Sequence, residues 1–186
     1  MILVVDLCYR EHSLGYEEFV LPIARIIEGQ DTSVSIIHYT RNAGKSVIGC
    51  MGVVLCGTPL QDNAFRLYRN AFSWLAATEI PLLGICAGMQ AISLAFGGEV
   101  FPSLEIGMTD IRVTASDPLL PGHATFTAYE LHRNTCTVPP GFAGLAESDR
   151  CIQIIRHEDR PVYGVLFHPE VRNEGVVERF LSLFCW

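Results

Sequence analysis

The sequence lacks the features of proteins that bind nucleic acid or span membranes. Its formal net charge is −7, with 13 basic and 20 acidic residues among 186. Because the basic residues form no cluster, nucleic acid is excluded as the main ligand. No apolar run approaches the roughly 20 residues of a transmembrane helix. The first residues read as a short strand without a basic leader, so we expect neither a membrane anchor nor a signal peptide.

Paired cysteines are also lacking. The seven cysteines are odd in number, scattered, and contain no CxxC pair. This spacing predicts neither a disulfide framework nor a zinc site, and we expect a reduced, cytoplasmic protein whose thiols are mostly small core residues. The sequence has no pattern typical of a metal or organic cofactor site.

What is present is the composition of a folded globular chain. Hydrophobic residues make up 49% and charged residues 18%, which excludes a disordered chain. The length predicts one domain covering residues 1–186. A mean hydropathy of +0.30 leaves room for an apolar surface shared with a partner or with a second copy of the chain.

Strand and helix patterns alternate along the first hundred residues, and shorter alternating runs flanked by turns follow. We therefore predict an open, doubly wound, flavodoxin-like α/β fold: a mostly parallel sheet with helices on both faces and a small antiparallel extension. The predicted strands include Ile2–Asp6, Val34–Tyr39, Gly52–Cys56, Ile80–Ile85, Cys151–Arg156 and Val162–Phe167, and the predicted helices are Tyr16–Glu28, Asn63–Ala77, Ala87–Phe96 and Gly175–Phe184.

The first candidate catalytic residue is Cys86, which stands between a predicted strand and a predicted helix. Gly84 and Gly88 flank it with the G-x-nucleophile-x-G spacing of a nucleophile elbow. Small neighbours allow a sharp strand-to-helix turn, and the helix N-terminus favours a thiolate. Taken alone, the pattern is equally compatible with a buried cysteine in an ordinary turn.

A thiol nucleophile needs a base, and His168 is the candidate among six histidines. It follows directly on an apolar strand, so it is expected at the same carboxyl edge of the sheet as Cys86. Pro169 stiffens the turn, and Glu170 can accept a hydrogen bond from the imidazole and fix its tautomer. The alternative for this segment alone is a polar turn.

Together the two corners resemble the class I glutamine amidotransferases. That family has a G-x-C-x-G-x-Q elbow, matched by Gly84–Gln90, and a G-x-x-F-H-P-E corner, matched by Gly164–Glu170. The similarity runs from about Gly52 to the last residue. It implies that Cys86 attacks the side-chain amide of glutamine, with His168 as base and Glu170 as its orienter.

The resemblance also implies an oxyanion hole and a substrate pocket. The backbone N–H groups of Ala87 and Thr58 would stabilise the oxyanion, and Gln90, Gly57 and His132 would lie beside the glutamine. Thr58 departs from the family, which usually has glycine there. Because a β-branched residue resists positive φ, we expect slow or partner-dependent activity if this loop must flip.

The product that receives the ammonia is left open by the sequence. The segment after the first strand does not match the relatives that make anthranilate or GMP, and the chain has no P-loop pattern. The resemblance therefore favours a glutaminase subunit that supplies ammonia to a separate synthetase, the GMP synthase type being one candidate. The alternatives are a stand-alone γ-glutamyl hydrolase with the same Cys–His–Glu chemistry, and a degenerate subunit kept for regulation or binding.

Overall fold

The computed structural model describes residues 1–120 and 122–185. In that part of the chain one sheet of nine strands has the order β2-β1-β3-β4-β9-β8-β7-β5-β6. The first five strands in this order pair in parallel, and the other four are antiparallel. The strands are β1 Ile2–Asp6, β2 Val34–His38, β3 Gly52–Leu55, β4 Leu82–Ile85, β5 Val100–Val113, β6 Thr125–Cys136, β7 Phe142–Glu147, β8 Ile152–His157 and β9 Val162–Val165.

The central strands are apolar because helices cover both of their faces. Within β1, Ile2 and Val4 belong to the hydrophobic core on one side of the sheet, and Leu3 and Val5 belong to the core on the other. Such double burial explains the continuous apolar runs that predicted parallel strands here. The prediction of an α/β fold with a mixed, largely parallel sheet is confirmed.

The helices divide between the two faces. Two of them contribute to the first core and three to the second. They are α1 Leu21–Glu28 and α5 Gly175–Phe184 on one face, and α2 Ala43–Ser46, α3 Trp74–Ala77 and α4 Ala87–Ala95 on the other.

Two predicted helices are less regular than their periodicity indicated. A π-helical turn, Tyr16–Val20, precedes α1, whose second residue is Pro22. A proline in the first helical turn loses no hydrogen bond, which explains why α1 begins there. The segment predicted as one helix over Asn63–Ala77 is a 3₁₀ segment, Ala64–Phe72, kinked at Tyr68, and then α3. Its apolar stripe packs as predicted, with Phe65 and Phe72 buried.

The antiparallel part is larger than the predicted extension. Strands β5 and β6 are 14 and 12 residues long, where the sequence showed only short alternating runs. They form a long hairpin with a register shift between Pro102 and Glu105. Polar residues and Gly107 interrupt the hydrophobic alternation, so local pattern does not reveal that the pairing continues through them.

The seven cysteines are all free thiols. Among the described residues, no helix has the length and apolar character to cross a bilayer.

Candidate active site

Cys86 occupies a strained turn between β4 and α4. Its backbone angles are φ 48° and ψ −102°, a conformation that residues with a side chain rarely adopt. The N–H of Cys86 donates a 2.8 Å hydrogen bond to the carbonyl of Val165 at the end of β9. This bond holds the strained residue against the neighbouring strand, so the elbow predicted from the glycine spacing is formed.

The two flanking glycines are required by close backbone packing. A Cβ atom built on Gly84 would lie 2.5 Å from the carbonyl carbon and oxygen of Gly88. A Cβ atom built on Gly88 would overlap the carbonyl group of Leu55 in β3. Helix α4 therefore lies directly on the sheet, and this close approach sets the position of Cys86 at its N-terminus.

His168 lies just beyond β9, at the same edge of the sheet. Its N–H donates a 2.9 Å hydrogen bond to the carbonyl of Tyr129 in β6. On the ring, Nδ1 lies 2.8 Å from Oε1 of Glu170, and both side chains are buried. A carboxylate at Nδ1 leaves Nε2 as the nitrogen that can exchange a proton with a nucleophile. The ring of Phe19, 5.3 Å away between centroids, fixes the imidazole from the other side.

Cys86 and His168 meet above Gly57. A Cβ atom on Gly57 would lie 2.7 Å from Cε1 of His168 and 3.5 Å from Cβ of Cys86. Burial by itself lowers the pKa of His168, but the Cys86 thiolate and the Glu170 carboxylate outweigh it and hold that pKa well above its ordinary value. The arrangement therefore favours an imidazolium next to the sulfur, as in thiolate–imidazolium pairs.

Glu170→Gln is expected to lower the pKa of His168, because it removes a negative charge and keeps the size of the side chain. A raised pKa stabilises the fold fully below the unfolded-state pKa, and that contribution is lost as pH rises through the folded-state pKa. In the variant this loss should begin at lower pH. We also expect kcat for glutamine hydrolysis to fall by roughly 10²- to 10⁴-fold, since the tautomer is no longer fixed.

The measurements for this prediction are an NMR titration of the His168 imidazole and a pH–rate profile. Glu174→Gln, on the same segment but exposed, is the matched control. An unchanged His168 titration in Glu170→Gln would show that the carboxylate does not act on the ring.

Strand β6 forms one wall of the site through its backbone carbonyl groups. The carbonyl oxygen of Leu131 lies 3.9 Å from Sγ of Cys86, and that of Asn134 accepts a 3.0 Å hydrogen bond from Nε2 of Gln90. With Tyr129 holding His168, three carbonyls of one strand thus contact three predicted site residues. Sequence reasoning missed this wall because backbone groups leave no residue-type signal.

Gln90 is buried rather than an exposed helix residue, with 3% of its surface accessible. Its Oε1 is buried and has no hydrogen-bond partner among the described residues. A buried amide oxygen without a donor is costly, which makes it a ready acceptor for a substrate N–H group.

Ala87 and Thr58 both line the small cavity at Cys86, in agreement with their predicted position near an oxyanion. Ala87 is the first residue of α4, so its N–H lies at a helix N-terminus. The Thr58 hydroxyl donates a 2.9 Å hydrogen bond to the carbonyl of Asp62. Positive φ occurs at five non-glycine residues of the described chain, and Thr58 is not one of them. Its backbone therefore has the ordinary conformation that its β-branched side chain prefers.

His132 also borders this cavity, but its ring faces the protein interior. Nδ1 lies 3.0 Å from the carbonyl oxygen of Ser103, and Nε2 lies 3.2 Å from carboxylate oxygens of both Glu105 and Glu130. Burial raises the pKa of Glu130, and the nearby His132 partly offsets this. The ring therefore stabilises β6 from behind, while the predicted contact of His132 with substrate stays a prediction.

The cavity at Cys86 is closed. Its volume is about 10 Å³, less than the roughly 30 Å³ that one molecule occupies in liquid water. Residues 58–63 cover it, fastened to β6 by two hydrogen bonds. Nη1 of Arg133 donates to Oε1 of Gln61 at 2.6 Å, and Nδ2 of Asn134 donates to Oδ1 of Asn63 at 2.9 Å. These exposed or half-exposed bonds must open before glutamine can reach the sulfur.

A cysteine at a strained strand-to-helix turn, beside a histidine paired with a carboxylate, is the arrangement of a thiol-dependent acyl-transfer enzyme. Comparison with known proteins gives the particular family. The model of the family "Glutamine amidotransferase class-I" matches residues 16–186. The chain belongs to the class I glutamine amidotransferase family, and it is a glutamine amidotransferase of the Cys–His–Glu type.

Relatives in archaea carry a more specific name. The chain is 36% identical over 138 residues to the glutamine-hydrolysing subunit of GMP synthase from Methanosarcina barkeri, covering 72% of this chain and 71% of the relative. It is 38% identical over 141 residues to the protein of that name from Methanothrix thermoacetophila, covering 71% and 76%. A Thermoplasma acidophilum structure described as a GMP synthase subunit superimposes with a TM-score of 0.83 at 24% identity, covering 98% of this chain and 93% of that one. At that identity the structural likeness supports the fold.

Proposed function

We propose that this chain is the glutaminase subunit of an amidotransferase built from two subunits, and that it supplies ammonia to a separate synthetase of the GMP synthase type. The observation that carries the catalytic part is the meeting of Cys86 with the buried His168–Glu170 pair above Gly57. The names of the archaeal relatives support the choice of acceptor.

In the first half-reaction the Cys86 thiolate attacks the side-chain carbonyl carbon of glutamine. The C–S bond forms, and the carbonyl electron pair moves to oxygen, where the N–H groups of Ala87 and Thr58 stabilise it. The imidazolium of His168 donates its Nε2 proton to the amide nitrogen. The C–N bond then breaks, ammonia leaves, and a γ-glutamyl thioester remains on Cys86.

In the second half-reaction water attacks the thioester carbonyl. Neutral His168 takes a proton from this water, and Glu170 stabilises the imidazolium that forms. The C–S bond breaks, glutamate is released, and the thiolate is restored. Gln90, whose Oε1 is buried without a partner in the described chain, is positioned to accept a hydrogen bond from the glutamine backbone.

The experiment that tests this function is reconstitution with a purified synthetase of the GMP synthase type. Ammonium should support GMP formation by the synthetase alone, whereas glutamine should support it only when this chain is added. Cys86→Ala, added in equal amount, is the control that should restore only the ammonium-dependent reaction.

A substrate scan separates the stand-alone hydrolase from the ammonia donor. A closed cavity of about 10 Å³ favours a small substrate and a small leaving group. We expect free glutamine to be hydrolysed and γ-glutamyl p-nitroanilide to be a poor substrate. Rapid cleavage of the anilide without a partner, together with no glutamine-dependent GMP, would overturn the ammonia-donor role in favour of a γ-glutamyl hydrolase.

A further inference from the structure

A large cleft lies directly beside the closed cavity at Cys86. Its volume is about 740 Å³, and it shares the segments around Asn63 and Asn134 with the wall of the cavity. Whatever binds in this cleft therefore touches the hydrogen bonds that keep the catalytic cavity shut. The residues that line it are Asn63, Arg66, Pro102, Ser103, Leu104, Arg133, Asn134 and Arg150.

The cleft is positively charged in a chain whose net charge is −7. Three of its lining residues, Arg66, Arg133 and Arg150, are arginines, and none of the lining residues is acidic. Within residues 1–120 and 122–185, none of these guanidinium groups forms an ion pair with a carboxylate. Three like charges without counter-charges favour an anionic ligand.

The surroundings of the cleft indicate that this ligand is a protein. Leu104 lines the cleft, and Ile106 and Met108 follow at alternate positions of β5, each more than half exposed. On the other side Leu67 and Tyr68, next to Arg66 in sequence, are exposed as well. Arginines surrounded by exposed apolar and aromatic side chains are typical of protein–protein interfaces. A small free anion would leave this apolar surface in water.

We propose that an acidic segment of the ammonia-receiving synthetase docks in the cleft of Arg66, Arg133 and Arg150, and that this docking opens the cavity at Cys86. The docking presupposes the ammonia-donor role proposed above. Its position suits that role, because a partner seated beside the cavity would cover the point where ammonia leaves.

Arg133 connects the docking to the opening. In the closed state its guanidinium donates to the neutral amide oxygen of Gln61. A carboxylate from the partner is a stronger acceptor, because a charge-assisted hydrogen bond is roughly twice as strong as a neutral one. Once Arg133 turns to the carboxylate, residues 58–63 keep only the Asn63–Asn134 bond to β6. A partner that binds the open form better shifts the population towards it, and glutamine must in turn strengthen partner binding.

The first test measures binding of the purified synthetase to charge-reversal variants. Arg66→Glu and Arg150→Glu should each raise Kd by roughly tenfold or more and flatten its salt dependence, because each puts a like charge against an acidic segment. Arg25→Glu makes the same charge change on exposed α1, on the other face of the sheet, and should leave Kd within about twofold. Equal effects at all three positions, or none, would overturn the docking site.

The second test measures the closing bond without a partner. Gln61→Ala should raise the labelling rate of Cys86 by the electrophilic glutamine analogue 6-diazo-5-oxo-L-norleucine several-fold, because one of two closing bonds is lost. Gln30→Ala is the matched control, since Gln30 makes a surface hydrogen bond to Glu178 far along the chain. Adding the synthetase should accelerate labelling of the wild type and have less effect on Gln61→Ala.

The two failures can be told apart. If Cys86 is not labelled in the wild type with or without the synthetase, the proposed glutaminase function fails. If it is labelled but neither Gln61→Ala nor the synthetase changes the rate, the glutaminase function stands and the gated docking is wrong. If the synthetase accelerates labelling while Arg66→Glu and Arg150→Glu bind normally, the partner docks elsewhere.

Discussion

Cys86→Ser is expected to abolish glutamine hydrolysis, lowering kcat by about 10⁴-fold or more. Serine has nearly the same shape, but its hydroxyl does not ionise near neutral pH, so the strong nucleophile is lost. The strained backbone at φ 48° is set by the glycines and by the bond to Val165, so the fold should be retained. Ammonium-dependent GMP formation with the synthetase should therefore persist.

The measurements for Cys86→Ser are the glutaminase rate, the mass of the protein after reaction with the glutamine analogue, and the unfolding transition. Cys50→Ser is the matched control, because Cys50 is a half-buried thiol whose hydrogen bond to the carbonyl of Ser46 a hydroxyl can replace. Both variants should unfold like the wild type, and only Cys86→Ser should lose activity and labelling. Labelling that persists in Cys86→Ser would mean that another thiol reacts, and the assigned nucleophile would be wrong.

Gly88→Ala is the substitution for which we expect the largest loss of stability, about 3 kcal/mol or more. Helix propensity alone would favour alanine over glycine by up to about 1 kcal/mol, so the expected sign is opposite to the local preference. The reason is that the added methyl group would overlap the backbone carbonyl of Leu55, which cannot rotate away. Helix α4 must then move off the sheet, and Cys86 moves with it.

Urea-induced unfolding measures this effect. Gly122→Ala is the control, because a Cβ atom there has no neighbour within 4 Å and its φ is not positive. That variant should change the free energy of unfolding by no more than about 0.5 kcal/mol. A Gly88→Ala protein as stable as the wild type would show that α4 does not pack on β3 as closely as described.

The central strands and the catalytic corners were predictable because their signals are local. A buried parallel strand is a continuous apolar run, and β1 has the predicted bounds Ile2–Asp6. The final helix, Gly175–Phe184, likewise agrees with its apolar periodicity. The predicted elbow at Cys86 rested on two glycines whose small size the packing demands. Residue type alone carried that information.

The length of the β5–β6 hairpin was not predictable in the same way. Its polar face looks like a series of short runs and turns, and pairing through Gly107 depends on hydrogen bonds between strands. The 3₁₀ segment around Tyr68 differs from the predicted helix for a related reason, because packing tolerated a kink that periodicity does not report.

The sequence by itself determined the family, the sheet that carries it, and the two corners with Cys86 and His168, since these depend on which residues follow which strands. The tertiary structure alone decided that carbonyls of Leu131 and Asn134, more than 40 residues from α4, form a wall of the site. It also decided that Arg133 closes the cavity through Gln61, 72 residues away. Backbone oxygens are identical in every residue, and a contact across so long a separation follows from strand pairing rather than from local pattern.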